Sequence, residues 1–290
     1  MASRRRAAAA SRGRAAATQV LSIETLGCAG DYGALAHYAD PRYYDRTYAR
    51  REFDVRYYLE LAQKHGGRVL EYGAGSGRIT IPLARAGQEI VAVDLSGPML
   101  AALEAKLARE DRAVRRRVRL VHGSMCRQRF RSTFDLVLAP FNTVLHLYTQ
   151  EEMGAFLRRV AAHLGPRGLF AFDYSVPRPG DLDRDPERPY PAASFRDPET
   201  GIKVRYRERF EYDPLRQLLV IWMEFLPETG TPWVVPLTHR QYFPCEMRSL
   251  LAFGGFKVLR ETADFAGREP DGSADSLVLE CSCRRAKGRL

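Results

Sequence analysis

Residues 69–95 constrain this chain more than any other stretch. They run as an apolar strand ending in Glu71, three glycines at alternate positions (Gly73, Gly75 and Gly77 in VLEYGAGSGR), an amphipathic helix, a second apolar strand (IVAVDLS) and the acid Asp94. Glycines at this spacing let the backbone turn sharply and admit a ligand to bare peptide groups, with a helix N-terminus just beyond. Asp94 closes the second strand, where a carboxylate at the carboxyl edge of a parallel sheet can accept both ribose hydroxyls of an adenosine moiety.

The pattern continues beyond this stretch. A helix over 52–65, ended by Gly66 and Gly67, precedes strand 68–71, helix 77–86, strand 89–94, helix 98–109, strand 118–122, strand 134–139, helix 151–164 and strand 168–174. Short apolar strands alternating with amphipathic helices specify a parallel sheet covered on both faces. The run of Pro, Asp and Arg over 176–199 reads as a surface connection, since it holds neither a helix nor a central strand. After it, segments 203–212, 218–226 and 233–243 alternate apolar and polar residues between turn signals, as an antiparallel meander does. A helix over 244–253 and strands over 257–262 and 276–283 complete the chain. The expected fold is therefore α/β: a seven-stranded, mostly parallel sheet with helices on both faces, its last strand antiparallel, and a small antiparallel β lid over 200–243 inserted after the fifth strand.

Composition excludes several classes. With 290 residues and 45% apolar content, the chain buries a core without metal or disulfide staples. Its five cysteines (Cys28, Cys126, Cys245, Cys281, Cys283) include no CxxC pair, which argues against a zinc site and fits a reducing, cytoplasmic setting. No apolar stretch approaches the roughly 18–20 residues that span a bilayer. Residues 1–24 read as a disordered basic tail rather than a transit peptide, and Arg4, Arg5, Arg6, Arg12 and Arg14 supply five of the formal +10 charge, leaving +5 for the rest. A second cluster, Arg112, Arg115, Arg116, Arg117 and Arg119, falls between a helix and a strand and reads as a solvated connection rather than a nucleic-acid groove.

A nicotinamide dinucleotide would need GxGxxG beneath its pyrophosphate. Here the spacing is GxGxG, and Glu71 would repel a pyrophosphate while suiting the ammonium of a methionine moiety. Residues 71–77 and Asp94 resemble motif I and the second-strand acid of class I, Rossmann-like S-adenosylmethionine-dependent methyltransferases. The resemblance runs on through His122-Gly123-Ser124-Met125 and the segment from Phe134 to Pro140, Phe141 and Asn142, covering about residues 40–175. Within the class, the leading tyrosine segment and the antiparallel insertion are similar to small-molecule N-methyltransferases, including glycine and amino-sugar types. The resemblance implies S-adenosylmethionine as cofactor, held by Tyr44, Glu71, Gly73, Gly75, Gly77, Asp94, Leu95, Ser124, Met125 and Pro140. Ser124 departs from the family, which commonly has Asp there to receive the adenine amino group. Met125 either packs on the adenine or is an ordinary core methionine.

Methyl transfer is an in-line displacement that gains most from alignment and needs a base chiefly when the acceptor is a hydroxyl. His146, in the loop after the fourth strand, is the leading candidate for base or substrate ligand, with a structural capping role as the alternative. Asn142 in the same loop and Tyr48 in the N-terminal segment complete the catalytic candidates. Tyr44 and Tyr48 could shield a sulfonium with their rings, or simply anchor an N-terminal cap. Tyr174, His239 and Arg240 are weaker candidates, Arg240 because a guanidinium suits a substrate carboxylate. The expected function is methyl transfer to N or O of a small molecule, with no nucleic-acid or membrane partner. The rivals are an RNA- or protein-modifying methyltransferase and a non-catalytic cofactor-binding subunit; the oligomeric state, a homodimer included, stays open.

Overall fold

The computed structural model describes residues 35–197 and 199–283. The basic tail, its possible targeting role and Cys28 lie outside the described residues. The described residues divide into two compact units, one of residues 38–178 with 240–283 and the other containing residues 179–197 with 199–239.

The first unit carries the seven-stranded sheet. Its strands are β1 (Arg68–Tyr72), β2 (Glu89–Asp94), β3 (Val118–His122), β4 (Phe134–Ala139), β5 (Leu164–Ser175), β10 (Phe256–Thr262) and β11 (Ser276–Cys283), in the order β10-β11-β5-β4-β1-β2-β3. β1 pairs in parallel with β2 and β4, and β4 in parallel with β5, while β11 runs antiparallel to both β5 and β10. The near-continuous apolar runs follow from burial on both faces: Leu136, Val137, Leu138 and Ala139 are all fully buried. Alternate residues feed two cores. Leu70, Tyr72, Val137, Phe170 and Phe172 face one, and Val69, Leu136, Leu138 and Ala171 the other.

Helices α1 (Pro41–Tyr48), α2 (Phe53–His65), α3 (Thr80–Arg85), α4 (Gly97–Leu107), the four-residue turn α5 (Arg112–Arg115), α6 (Gln150–His163) and α8 (Pro244–Phe253) belong to this unit. α6 starts on a capping box, with Thr149 accepting from Glu152 N–H and Glu152 reaching back, and buries Met153, Phe156, Leu157 and Val160 at helical spacing. α2 ends at Gly66, whose φ of 64° closes the helix as expected. α3 is shorter than the expected 77–86 because Gly77 N–H turns back to the Ala74 carbonyl at 3.0 Å, keeping the glycine loop out of the helix. α1 was not expected from the tyrosine-rich segment; Asp40 accepts from Arg42 N–H at 3.1 Å and Pro41 opens the helix.

The second unit carries an antiparallel sheet in the order β6-β7-β8-β9, formed by β6 (Tyr190–Arg196), β7 (Lys203–Asp213), β8 (Leu218–Pro227) and β9 (Trp233–Arg240), together with the short turn α7 (Pro179–Leu182). The meander is present, but its bounds and the expected surface connection over 176–199 need correction. That segment supplies α7 and a fourth strand. β6 tolerates Pro191 because it is an edge strand, with only β7 beside it. Among the described residues no helix is long and apolar enough to cross a membrane.

Candidate functional site

The site is assembled where β1, β2, β4 and β5 end. Glu71 is buried at the end of β1, accepts from Thr80 Oγ1 at 2.6 Å, and is pushed up to about 8 by burial. Gly73 has φ 69°, and a Cβ there would lie 2.3 Å from Thr143 Oγ1, so this position needs glycine twice over. Asp94 accepts from Gly75 N–H and Ser96 N–H, each at 2.7 Å. Its carboxyl is raised chiefly by burial, with these backbone donors acting in the opposite direction. A carboxylate has about four acceptor positions, so Asp94 retains capacity for vicinal hydroxyls.

The neighbouring cofactor candidates follow the same edge. Leu95 is exposed, and its carbonyl accepts from His122 Nε2–H at 2.9 Å. Gly123 N–H donates to the Asp94 carbonyl at 2.9 Å, tying the loop after β3 to the end of β2. Ser124 Oγ accepts from Cys126 N–H at 3.2 Å, which uses part of its acceptor capacity and leaves its hydroxyl proton for other use. Met125 is half-buried against the core.

The loop after β4 is strained. Phe141 and Asn142 are both left-handed, with φ 53° and 62°, a conformation that bulky residues hold only when their surroundings impose it. Here β5 imposes it. Asp173 Oδ1 accepts from Phe141 N–H at 2.8 Å and from Tyr58 Oη–H at 2.5 Å, while Asn142 Oδ1 accepts from Ser175 N–H at 2.7 Å. Asp173 is raised to about 6 by burial, partly opposed by those hydrogen bonds. The Pro140 carbonyl accepts from Thr143 Oγ1 at 2.6 Å and completes the turn.

Phe141 is walled by rings and guanidinium groups. The Tyr48 and Tyr44 centroids lie 4.7 and 6.2 Å from its own, with Tyr44 and Tyr48 4.9 Å apart. The Arg51 and Arg78 guanidinium carbons stand 4.6 and 4.9 Å from its ring centroid. Both arginines share the buried Asp54, Arg78 through two bonds of 2.7 Å and Arg51 through one of 2.9 Å. Burial alone would raise the Asp54 carboxyl, but Arg78 and Arg51 hold it below its ordinary value. Two cations against one anion leave surplus positive charge, and Arg78 Nε is buried without a hydrogen-bond partner. A carboxylate on a ligand fits that donor.

His146 ends a short 3-10 turn (Thr143–His146) between two tyrosine hydroxyls, with Tyr38 Oη 3.0 Å from Nε2 and Tyr148 Oη 3.2 Å from Nδ1. The Tyr38 carbonyl in turn accepts from Ser96 Oγ–H at 3.2 Å. One short segment thus joins the loop after β2 to the loop after β4. The structure brings Tyr44, Tyr48, Glu71, the three glycines, Asp94, Pro140, Asn142 and His146 to one edge of the sheet. Tyr174 instead stacks on Phe172 within the core, its hydroxyl buried and unpartnered. Arg240 is engaged by the Gln241 carbonyl at 2.6 Å and by Glu246 at 2.8 Å. His239 is half-buried on β9 in the second unit. Sequence reasoning missed Tyr38, Arg51, Asp54, Phe141 and Asp173. Only Arg78, directly after the glycine loop, had a local signal that could have singled it out.

Residues 69–168 match the family model of a methyltransferase domain. This part of the chain is a methyltransferase domain of the Rossmann-like, S-adenosylmethionine-dependent class. Over 112 residues, 39% of this chain, it is 40% identical to the cypemycin N-terminal methyltransferase of a Streptomyces species, and the match spans 43% of that protein's length. Among solved structures it is similar to the CcbJ methyltransferase from Streptomyces caelestis, at TM-score 0.68 and 26% identity over 79% of this chain and 89% of that one. It is likewise similar to the glycopeptide N-methyltransferase MtfA complexed with S-adenosyl-L-methionine, at TM-score 0.55 and 25% identity, covering 79% of this chain and 86% of the other.

Proposed function

We propose that the whole chain transfers a methyl group from S-adenosylmethionine to a nitrogen or oxygen of a small molecule, with an amine nitrogen as the leading acceptor. The observation that carries this reading is the strained Phe141–Asn142 turn, enclosed by Tyr44 and Tyr48 and lying one loop from the Asp94 and Glu71 carboxyls. The names of the cypemycin and glycopeptide relatives favour nitrogen. The exposed Arg112, Arg115 and Arg116 precede β3, at the amino edge of the sheet and opposite the candidate site, which favours a small acceptor over nucleic acid. Free Cys126, Cys245 and Cys281 suit a reducing, cytoplasmic setting.

When bound, S-adenosylmethionine supplies an electrophilic methyl on a positively charged sulfur. Asp94 would hold the ribose hydroxyls, Glu71 the ammonium, and Arg78 with Arg51 the carboxylate. Tyr44, Tyr48 and Phe141 would exclude water and face the sulfonium with their rings. His146, steadied on both ring nitrogens, would orient the acceptor or take its proton. Calorimetry with S-adenosylhomocysteine tests the cofactor half: the wild type should bind, and Asp94→Ala should weaken binding by about a hundredfold, the scale of losing charge-assisted bonds to two hydroxyls. Equal binding by the variant would remove Asp94 from the role.

A further inference from the structure

The order of strands sets out the parts of the cofactor in a line. Glu71 lies on β1, Arg78 just beyond the loop that follows it, and Asp94 at the end of β2, with β3 next in the sheet. A ligand with its methionine end at Glu71 and its ribose at Asp94 therefore carries its base towards the loop after β3. That loop is fixed to the ribose end: Asp94 is in register with His122, and Gly123 N–H donates to the Asp94 carbonyl at 2.9 Å. Adenine presents a 6-amino donor, which calls for an acceptor.

Ser124, where the class commonly has an aspartate, has little acceptor capacity to offer. Its Oγ already accepts from Cys126 N–H at 3.2 Å, and its carbonyl accepts from Arg127 N–H at 3.0 Å and from Gln128 N–H at 2.9 Å. A carbonyl has two lone pairs, so that group is filled. The bond from Gln128 N–H closes one helical turn, and residues four apart in such a turn are neighbours on its surface. The half-buried Gln128 is thereby set beside Ser124. Its side chain folds back over the loop, with Oε1 only 2.8 Å from where a Cβ on Gly123 would stand. Nε2–H donates to the Arg129 carbonyl at 3.4 Å, and turning the amide over would set two oxygens against each other. Among the described residues nothing donates to Gln128 Oε1. The turn thus carries an unfilled acceptor four residues from the place where a carboxylate is missing.

We propose that Gln128 is a specificity-determining residue whose amide oxygen receives the purine 6-amino group of S-adenosylmethionine in place of a carboxylate at position 124. The inference rests on the methyltransferase reading above and adds to it the group that reads the base. A neutral amide makes a weaker bond than a carboxylate, so the purine is read less sharply than an aspartate would read it.

The test is calorimetry on the full chain with two ligands, S-adenosylhomocysteine and its analogue bearing hydrogen in place of the 6-amino group. The proteins are the wild type, Gln128→Ala, Gln128→Glu and Ser124→Ala. The wild type is expected to prefer S-adenosylhomocysteine about tenfold, the scale of one neutral hydrogen bond. Gln128→Ala is expected to bring that ratio close to one, and Gln128→Glu to widen it severalfold through a charged acceptor. Ser124→Ala is expected to leave it near the wild-type value. A merely structural role for Gln128 would weaken both ligands alike and leave the ratio unmoved. That result, a ratio of one in the wild type, or loss of the ratio in Ser124→Ala would overturn the assignment. Should Gln128→Ala fail to fold, Gln128→Glu, of the same shape, decides, and an unchanged ratio there overturns it. Binding of neither ligand by the wild type would defeat the cofactor reading itself, and the assignment with it.

Discussion

Glu71 is the residue whose chemistry responds most to the ligand proposed for it. Burial lifts its carboxyl from the usual 4.5 to about 8, so the ligand-free protein holds it protonated at neutral pH. A carboxyl raised on folding stabilises the fold fully below its unfolded value, and that contribution is lost as pH rises from about 4.5 through about 8. An ammonium brought beside it favours the carboxylate, so binding should expel a proton. Calorimetry of S-adenosylhomocysteine binding at pH 7, in two buffers of different ionisation enthalpy, should show proton release by the wild type and none by Glu71→Gln. Identical proton counts for the two proteins would mean that Glu71 does not face the ammonium. The positions of Glu71 and Asp94 were legible in the sequence because they depend on covalent spacing: Glu71 lies one residue from the end of β1 and Asp94 ends β2, at the same edge of the sheet. The departure at Ser124 was equally legible. Its hydrogen bond from Cys126 N–H was not, because a serine can meet many local donors.

At the scale of elements, the loop after β4 was legible as a loop but not as a strained one. Nothing local to Phe141 or Asn142 requires positive φ. The conformation is imposed by Asp173 and Ser175 of β5, more than thirty residues away, and by Tyr58 of α2. Asp173→Ala would leave the Phe141 amide and the Tyr58 hydroxyl without their shared acceptor. It should cost about 3 kcal/mol of unfolding free energy in urea and lower methyl transfer further by freeing the turn. Asp173→Asn keeps an acceptor and should recover most of the stability. If the alanine variant is as stable as the wild type, β5 does not enforce the turn. β6 escaped notice for a related reason. Pro191 disqualifies a central strand, and only the position of the strand in the sheet reveals that it is an edge. α1 carried a readable start in Asp40-Pro41, but with Tyr44 as its buried residue it has no apolar period that marks a helix.

For the whole molecule, the donor and the acceptor were legible to different degrees. The parallel sheet, its antiparallel β11 and the two core faces follow from alternating short apolar strands and amphipathic helices, and the edge proposed to hold adenosine follows from that order. The groups proposed as catalytic candidates, Tyr48 on one segment and Asn142 with His146 on another, approach one another only through tertiary structure. No linear spacing encodes them. The account stands on one chemical event, so the decisive measurement follows the methyl group. The full chain is incubated with methyl-labelled S-adenosylmethionine and a cell extract, and label is counted by mass spectrometry in the small-molecule and macromolecular fractions. The account predicts labelled small molecules in proportion to the S-adenosylhomocysteine formed, and about a hundredfold less label with Asp94→Ala at subsaturating S-adenosylmethionine. Label confined to RNA or protein, or no S-adenosylhomocysteine with any extract, would contradict it.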